Sequence, residues 1–237
     1  MDLGSNLLAA LREQDLARIE PHLQPLKLSA GDVIYDPGDE VRHAYFPLGS
    51  AMASFLIPMK EGETVETAMV GREGVVGGIV SNGLLPAYAK CSVMHGGDFL
   101  RLPSIVLDEA KRQSVHMGNL FARYADCLVA QIFQSVACNA LHSIEQRAAK
   151  WLLFALDRTG RDELVLTQQQ LGSLLGIGRS YVTRVVARMK ASGVIEIGRG
   201  RVRILDRHRL AYLSCDCNLL VAEHFDIVLR GVYPDGA

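Results

Sequence analysis

The sequence predicts an α+β chain in three parts: an N-terminal antiparallel β-roll, a long central helix, and a C-terminal region of short helices with a β-hairpin. Three observations carry this. Short apolar runs recur over residues 1–103, separated by Gly and Pro. Proline vanishes over 104–138 and the apolar spacing becomes helical. Beyond 139, a helix–glycine–helix pattern precedes two short runs that flank Gly198-Arg199-Gly200-Arg201. The chain is therefore expected to divide at 1–103, 104–138 and 139–237.

The elements follow in order. Asn6 to about Ile19 reads as a short helix. Strands are expected at Leu26–Leu28, Val33–Tyr35, Ala44–Phe46, Met52–Ile57, Val65–Val70, Ala89–Met94 and Phe99–Leu102. Turn signals such as Asp36-Pro37-Gly38-Asp39, Lys60-Glu61-Gly62-Glu63 and His95-Gly96-Gly97-Asp98 separate them. Many short strands at this spacing suggest a compact roll or barrel. In the central helix Leu120, Phe121, Tyr124, Leu128 and Ile132 recur on a stripe wider than one face needs. Such a helix must be covered on two sides. One side suits the roll, and the other a second copy of the chain across a two-fold axis. These five residues are the expected dimer helix. Asn139 is a good N-cap for the next helix, so Cys138-Asn139-Ala140 is the expected hinge, and Gly160 stops that helix.

Composition excludes several classes. The longest apolar runs, Val75–Val80 and Trp151–Leu156, are too short to span a bilayer. Met1-Asp2-Leu3-Gly4-Ser5 shows no basic or apolar leader, so a cytoplasmic protein with no membrane partner is expected. Five cysteines do not make a disulfide scaffold in a chain of 237 residues. The net charge of −1 hides an asymmetry: Arg161 to Arg209 holds ten Lys/Arg against four Asp/Glu, a net +6, which leaves −7 elsewhere. A basic module beside an acidic remainder suits a protein whose one end meets phosphate. No nucleophile elbow, P-loop, H-E-x-x-H or dinucleotide fingerprint is present, so no enzyme is expected.

The functional motif is Leu166 to Val186. Thr167 caps a first helix whose apolar face is Leu171, Leu174 and Leu175. Gly176 sits where a tight turn needs positive φ, and Ile177 plugs the angle. A second helix starts near Arg179 and buries Val182, Val185, Val186 and Met189. Its outward residues are donor-rich. Arg179, Ser180, Tyr181 and Arg184 are the expected base readers, because an Arg forks onto guanine and a Ser bonds base edges. Thr167, Thr183, Arg188, Arg199 and Arg201 are expected on the phosphate backbone. Val194–Ile197 and Val202–Leu205 read as two strands joined by a basic tip, which completes a winged helix-turn-helix.

From Ile144-Glu145-Gln146-Arg147-Ala148-Ala149-Lys150-Trp151 through the turn motif to the wing, the sequence resembles the Crp/Fnr superfamily of bacterial transcription regulators. Gly31-Asp32-Val33-Ile34-Tyr35-Asp36-Pro37-Gly38-Asp39 and His43 to Ser50 resemble its cyclic-nucleotide-binding-like roll. The resemblance spans roughly residues 20–206. It implies a homodimer on an inverted repeat in double-stranded DNA, with RNA polymerase as a protein partner. It also implies base contacts at Arg179 and Arg184. Many members carry Glu just after the first Arg; Ser180 stands here, so their half-site sequence does not transfer.

Cyclic-AMP-binding members hold the ribose with a Glu and the cyclic phosphate with an Arg. In the matching stretch Gly78 stands where the Glu belongs and Ala87 or Tyr88 where the Arg belongs, and Gly77, Gly78, Ala87, Tyr88 and Ala89 mark the pocket. A buried phosphate without a cation lacks its main partner. The expectation is a degenerate pocket and no cofactor, with cyclic AMP disfavoured. The pocket either takes an uncharged ligand or is vestigial. The first cysteine is Cys91, so the N-terminal cysteine cluster of the family's iron–sulfur branch is missing. Cys215-Asp216-Cys217 could hold a soft metal, but only His208 and His224 lie near in sequence, and two buried thiols are the reading adopted. Single histidines such as His43 and His95 are read as ordinary surface or core residues rather than haem ligands.

Overall fold

The computed structural model describes residues 4–59, 64–79 and 83–232, leaving aside the side chain of Arg179. The expected turn at Lys60–Glu63 and part of the loop after Ile79 therefore lie outside the described residues. The chain forms two compact units. One takes the described residues of 1–55, 68–131 and 223–237; the other takes those of 56–67 and 132–222.

The first unit is built on an antiparallel roll. Strands β1 (Gln24–Leu28), β2 (Val33–Tyr35), β3 (His43–Pro47), β4 (Met52–Pro58), β5 (Thr64–Val70), β6 (Lys90–His95) and β7 (Gly97–Pro103) form two sheets. Their orders are β1-β7-β3 and β2-β6-β4-β5. The register pairs Leu26 with Phe99 and Phe46 with Leu100 on opposite faces of β7, so Phe46 and Leu100 pack in one core cluster and Phe99 in another. Two short helices precede the roll: α1 (Asn6–Ala9) and α2 (Glu13–Ile19). The expected single helix is thus broken at Ala10–Arg12. Leu7, Leu8 and Ile19 are fully buried, which fixes both pieces on the core.

Helices α3 (Ser104–Gln113) and α4 (Val115–Leu141) replace the single expected central helix. Ser114 is extended and caps the second piece, accepting a hydrogen bond from the Met117 amide at 3.2 Å. Leu120, Phe121 and Tyr124 join Leu7, Phe46 and Leu102 in the core of the first unit.

Asn139 does not start a new helix. It lies inside α4, and α5 (Ile144–Thr159) begins at Ser143. The reason is local. Ser143 and Gln146 form a reciprocal capping box, with Ser143 Oγ accepting from the Gln146 amide at 3.3 Å and Gln146 Oε1 accepting from the Ser143 amide at 3.0 Å. Asn139 has His142 three residues on and no such partner. Gly160 ends α5 at φ 63°, as expected.

In the second unit β8 (Glu163–Val165), α6 (Gln168–Leu175), α7 (Arg179–Ala191), β9 (Ile195–Gly198) and β10 (Arg201–Ile204) follow α5. β10 is central in the sheet β8-β10-β9, and β8 was not expected from the sequence. Helix α8 (Arg207–Leu213) lies on α5, with an Arg207–Asp157 ion pair, and Asn218 of α9 (Cys217–Val228) donates to the Lys150 carbonyl at 2.9 Å. From Glu223 on, the extension belongs to the first unit, where Phe225 and Val232 pack on the core. The second unit therefore ends within α9.

Candidate nucleic-acid interface

The helix-turn-helix is assembled by local hydrogen bonding and a dry underside. Thr167 caps α6: its Oγ1 accepts from the Gln170 amide at 3.1 Å, and Gln170 Oε1 accepts from the Thr167 amide at 2.8 Å. At the other end Gly176 adopts φ 65°, its amide bonding the Ser173 carbonyl, while the Ile177 amide reaches the Gly172 carbonyl at 3.0 Å. This is a Schellman turn, and the left-handed residue it needs is a glycine. Arg147 of α5 adds a second stop. Its guanidinium donates to the Leu175 carbonyl at 2.8 Å, a cation at the negative end of α6. Burial holds this guanidinium below the usual arginine range. Nothing in the sequence marked Arg147 for that role, because its partner lies 28 residues away.

The underside of α7 is closed. Val182, Val185, Val186 and Met189 are all buried, together with Leu171, Leu174 and Leu175 of α6. The other face is open: Ser180, Tyr181, Thr183, Arg184 and Arg188 are exposed. Arg184 lies over the Tyr181 ring, 4.7 Å from its centroid, and has no ion-pair partner among the described residues. Arg179 is the first residue of α7, and its side chain lies outside the described residues. Thr183 Oγ1 donates to Gln168 Oε1 at 3.2 Å, tying the start of α6 to the exposed stripe of α7.

The expected backbone cations divide. Arg199 at the wing tip is exposed, with no ion-pair partner among the described residues. Arg188 is paired with Glu145 at 2.7 Å, and Arg201 with Glu163 at 2.7 Å; Arg203 shares Glu163 at 3.0 Å. Arg188 and Arg201 are thus each held by an acid on the protein surface. Hydrogen bonds from Arg201, then Arg203, hold the Glu163 carboxyl below the usual carboxylate range. A groove of about 440 Å³ separates the start of α6 from the wing, lined by Thr167, Gln168, Gln169, Ile197 and Gly200 among others.

Residues 146–213 match the Crp-like helix-turn-helix domain. This segment is a Crp-like helix-turn-helix domain. The fold is similar to those of solved Crp/Fnr regulators. It is similar to FixK2 from Bradyrhizobium japonicum, with TM-score 0.67 and 15% identity, over 81% of this chain and 98% of that one. It is also similar to a Crp/Fnr-family putative regulator from Eubacterium rectale, with TM-score 0.65 and 20% identity, over 87% and 96%. A Crp-family transcriptional regulator from Thermus thermophilus gives TM-score 0.68 and 18% identity, over 80% and 96%. No curated protein matches the sequence.

In the roll, the stretch that resembles the cyclic-nucleotide position is closed at its glycines. Gly77 is buried, and a Cβ there would stand 2.5 Å from the His43 carbonyl oxygen. Gly78 adopts φ 61°, and a Cβ would stand 3.2 Å from Ser104 Oγ, so no acidic side chain fits in this backbone. Tyr88 is exposed, and Ala87 and Ala89 are half-buried. Ala87 exchanges backbone hydrogen bonds with Gly38 and Asp39 instead of offering a side chain. The nearby buried cation is Lys111, which donates to the Gly78 carbonyl at 3.1 Å and pairs with Asp108 at 3.2 Å. Asp108 also accepts from the Gly83 amide at 2.7 Å. Lys111 is thereby neutralised, so these residues do not fit a cyclic phosphate. The Asp108–Lys111 pair was missed from the sequence because an i,i+3 pair on a helix is ordinarily a solvated one.

The dimer-helix set also divides. Leu120, Phe121 and Tyr124 are buried within the first unit, and Leu128 is half-buried there. Leu120, Phe121 and Tyr124 face the core of the first unit. Of that set Ile132 is exposed, and it lies in a stripe with Val129, Phe133 and Val136.

Proposed function

We propose that the protein is a sequence-specific DNA-binding transcription regulator that acts as a homodimer on an inverted repeat. The observation that carries this reading is the open stripe Ser180, Tyr181, Thr183 and Arg184, on a helix whose opposite face is sealed into a Crp-like helix-turn-helix. Arg184 is held over Tyr181, ready to fork onto guanine O6 and N7. Arg179, one turn earlier, is the second base reader. Thr167, Arg199 and the groove between them meet the phosphates, and Arg188 and Arg201 join once DNA competes with Glu145 and Glu163. Two such helices enter successive major grooves roughly 34–36 Å apart, which requires half-sites one helical turn apart.

The dimer contact is the stripe Val129, Ile132, Phe133 and Val136. These follow i, i+3, i+4, i+7 spacing, the pattern of a helix seam. The roll acts without cyclic AMP, since neither the acid nor the cation that would hold it has a place. The working compartment is the cytoplasm, where DNA and RNA polymerase, the protein partner of this reading, are found. No described helix is long and apolar enough to cross a membrane.

A gel shift with selection from random duplexes tests the reading. The expected product is an inverted repeat whose binding weakens steeply with salt and is unchanged by added cyclic AMP. Arg184→Ala should lose the sequence preference, at about 1–3 kcal/mol per bidentate contact. Selection of no motif, or a preference intact in that variant, would overturn it.

A further inference from the structure

Three of the five cysteines and one histidine converge at the end of α4. Cys138 and His142 lie four residues apart at the close of that helix, so they share a face. Cys215 lies between α8 and α9, and Cys217 opens α9. All four belong to the second unit. Their ligand atoms lie within 4.8 Å of one another. Cys138 Sγ stands 3.7 Å from Cys215 Sγ, and Cys217 Sγ stands 3.4 Å from His142 Nδ1.

We propose that Cys138, His142, Cys215 and Cys217 form a closed tetrahedral zinc site that clamps the C-terminal extension to the end of α4. The 3.7 Å sulfur–sulfur and 3.4 Å sulfur–nitrogen separations suit a single ion. With Zn–S of about 2.3 Å and Zn–N of about 2.0–2.1 Å, tetrahedral angles place neighbouring donors roughly 3.5–3.8 Å apart. The sulfur pair is far beyond the roughly 2.05 Å of a disulfide. A four-iron cluster, whose ligand sulfurs sit on different irons, needs a wider cage. Three soft thiolates and an imidazole select zinc over hard cations.

The surroundings agree. Cys138, Cys215 and Cys217 are buried, and these three make up a core cluster of their own. Free cysteines are often buried as small hydrophobes, but these three converge on one another and on the His142 imidazole. Gln134 Nε2 donates to Cys217 Sγ at 3.2 Å, the outer-shell N–H that a metal-bound thiolate accepts. Four protein ligands leave no open position, so the ion is structural rather than catalytic. The C-x-C pair in the sequence showed half of the site. Its partners are 77 and 75 residues away in the chain.

The test is metal analysis of the full chain purified under reducing conditions. About one zinc per chain is expected, with the intense d–d and thiolate charge-transfer bands of tetrahedral cobalt(II) after exchange. Cys217→Ser and the double variant Cys138→Ser/His142→Ala should each lose the ion, while Cys127→Ala retains it. Should the ligand variants fail to fold, cobalt exchange into the wild-type chain still decides the matter. Zinc-free reduced protein that takes up no cobalt, or full zinc retained by the double variant, would overturn the site. So would iron bound at these residues in place of zinc.

Discussion

Glu163 controls how much positive charge the wing can offer. It accepts hydrogen bonds from Arg201 and Arg203, which hold its carboxyl below the usual range. A carboxyl whose folded value is depressed stabilises the fold above its unfolded value, about 4.3, and loses that contribution as pH falls through the folded value. The wing pairing is therefore complete at neutral pH and released in acid. Glu163→Gln should remove this acid-sensitive step and free Arg201 at neutral pH, while Arg203 keeps its pairing with Glu196 at 3.7 Å. DNA binding should tighten several-fold, and the salt dependence should steepen by about one phosphate contact. Fluorescence anisotropy across a salt series measures this, and an unchanged slope would mean that Arg201 never reaches the backbone.

Among the elements, the helix-turn-helix depends on a close approach that the sequence did not announce. A Cβ on Gly172 would lie 2.9 Å from Val182 Cγ2 and 3.0 Å from the Ile177 carbonyl oxygen. Gly172→Ala sets a helix-propensity gain of about 1 kcal/mol against an overpacking cost of typically 1–3 kcal/mol. Backbone and a short branched side chain cannot step aside, so the cost wins. The variant should be less stable by about 1 kcal/mol and bind DNA more weakly, because α7 is pushed off α6. Equal melting temperatures would show that the helices can separate freely. Gly176, by contrast, was legible: only a turn between two apolar-periodic helices needs a left-handed residue there. Helix α5 shows the opposite outcome. Asn139 looked like a cap from its residue type alone, yet the reciprocal bonds of Ser143 and Gln146 decide the boundary.

On the scale of the molecule, α4 carries two different apolar faces. Leu120, Phe121 and Tyr124 serve the core of the first unit, and Val129, Ile132, Phe133 and Val136 are left exposed. In the proposed dimer that second stripe is buried against its symmetry copy. Phe133→Glu places two like charges across the two-fold seam and should convert the protein to a monomer in light scattering, with folding retained because Phe133 is 70% exposed. A dimer that persists would put the interface elsewhere. Loss of the dimer should also abolish preference for the inverted repeat over a single half-site.

The sequence by itself determined what local periodicity encodes. The seven strands of the roll, the turn at Gly176, the sealed underside of α7 and the basic wing all rest on residues within a few positions of one another. Only the tertiary structure decided what distant segments do together. It turned one half of the α4 stripe inward and left the other half out, set Arg147 on the end of α6, paired Arg188 and Arg201 with acids, and brought Cys138 and His142 to Cys215 and Cys217. Hydrophobic spacing reports that a residue is to be buried, but the path of the chain determines against what, and no local pattern contains that path.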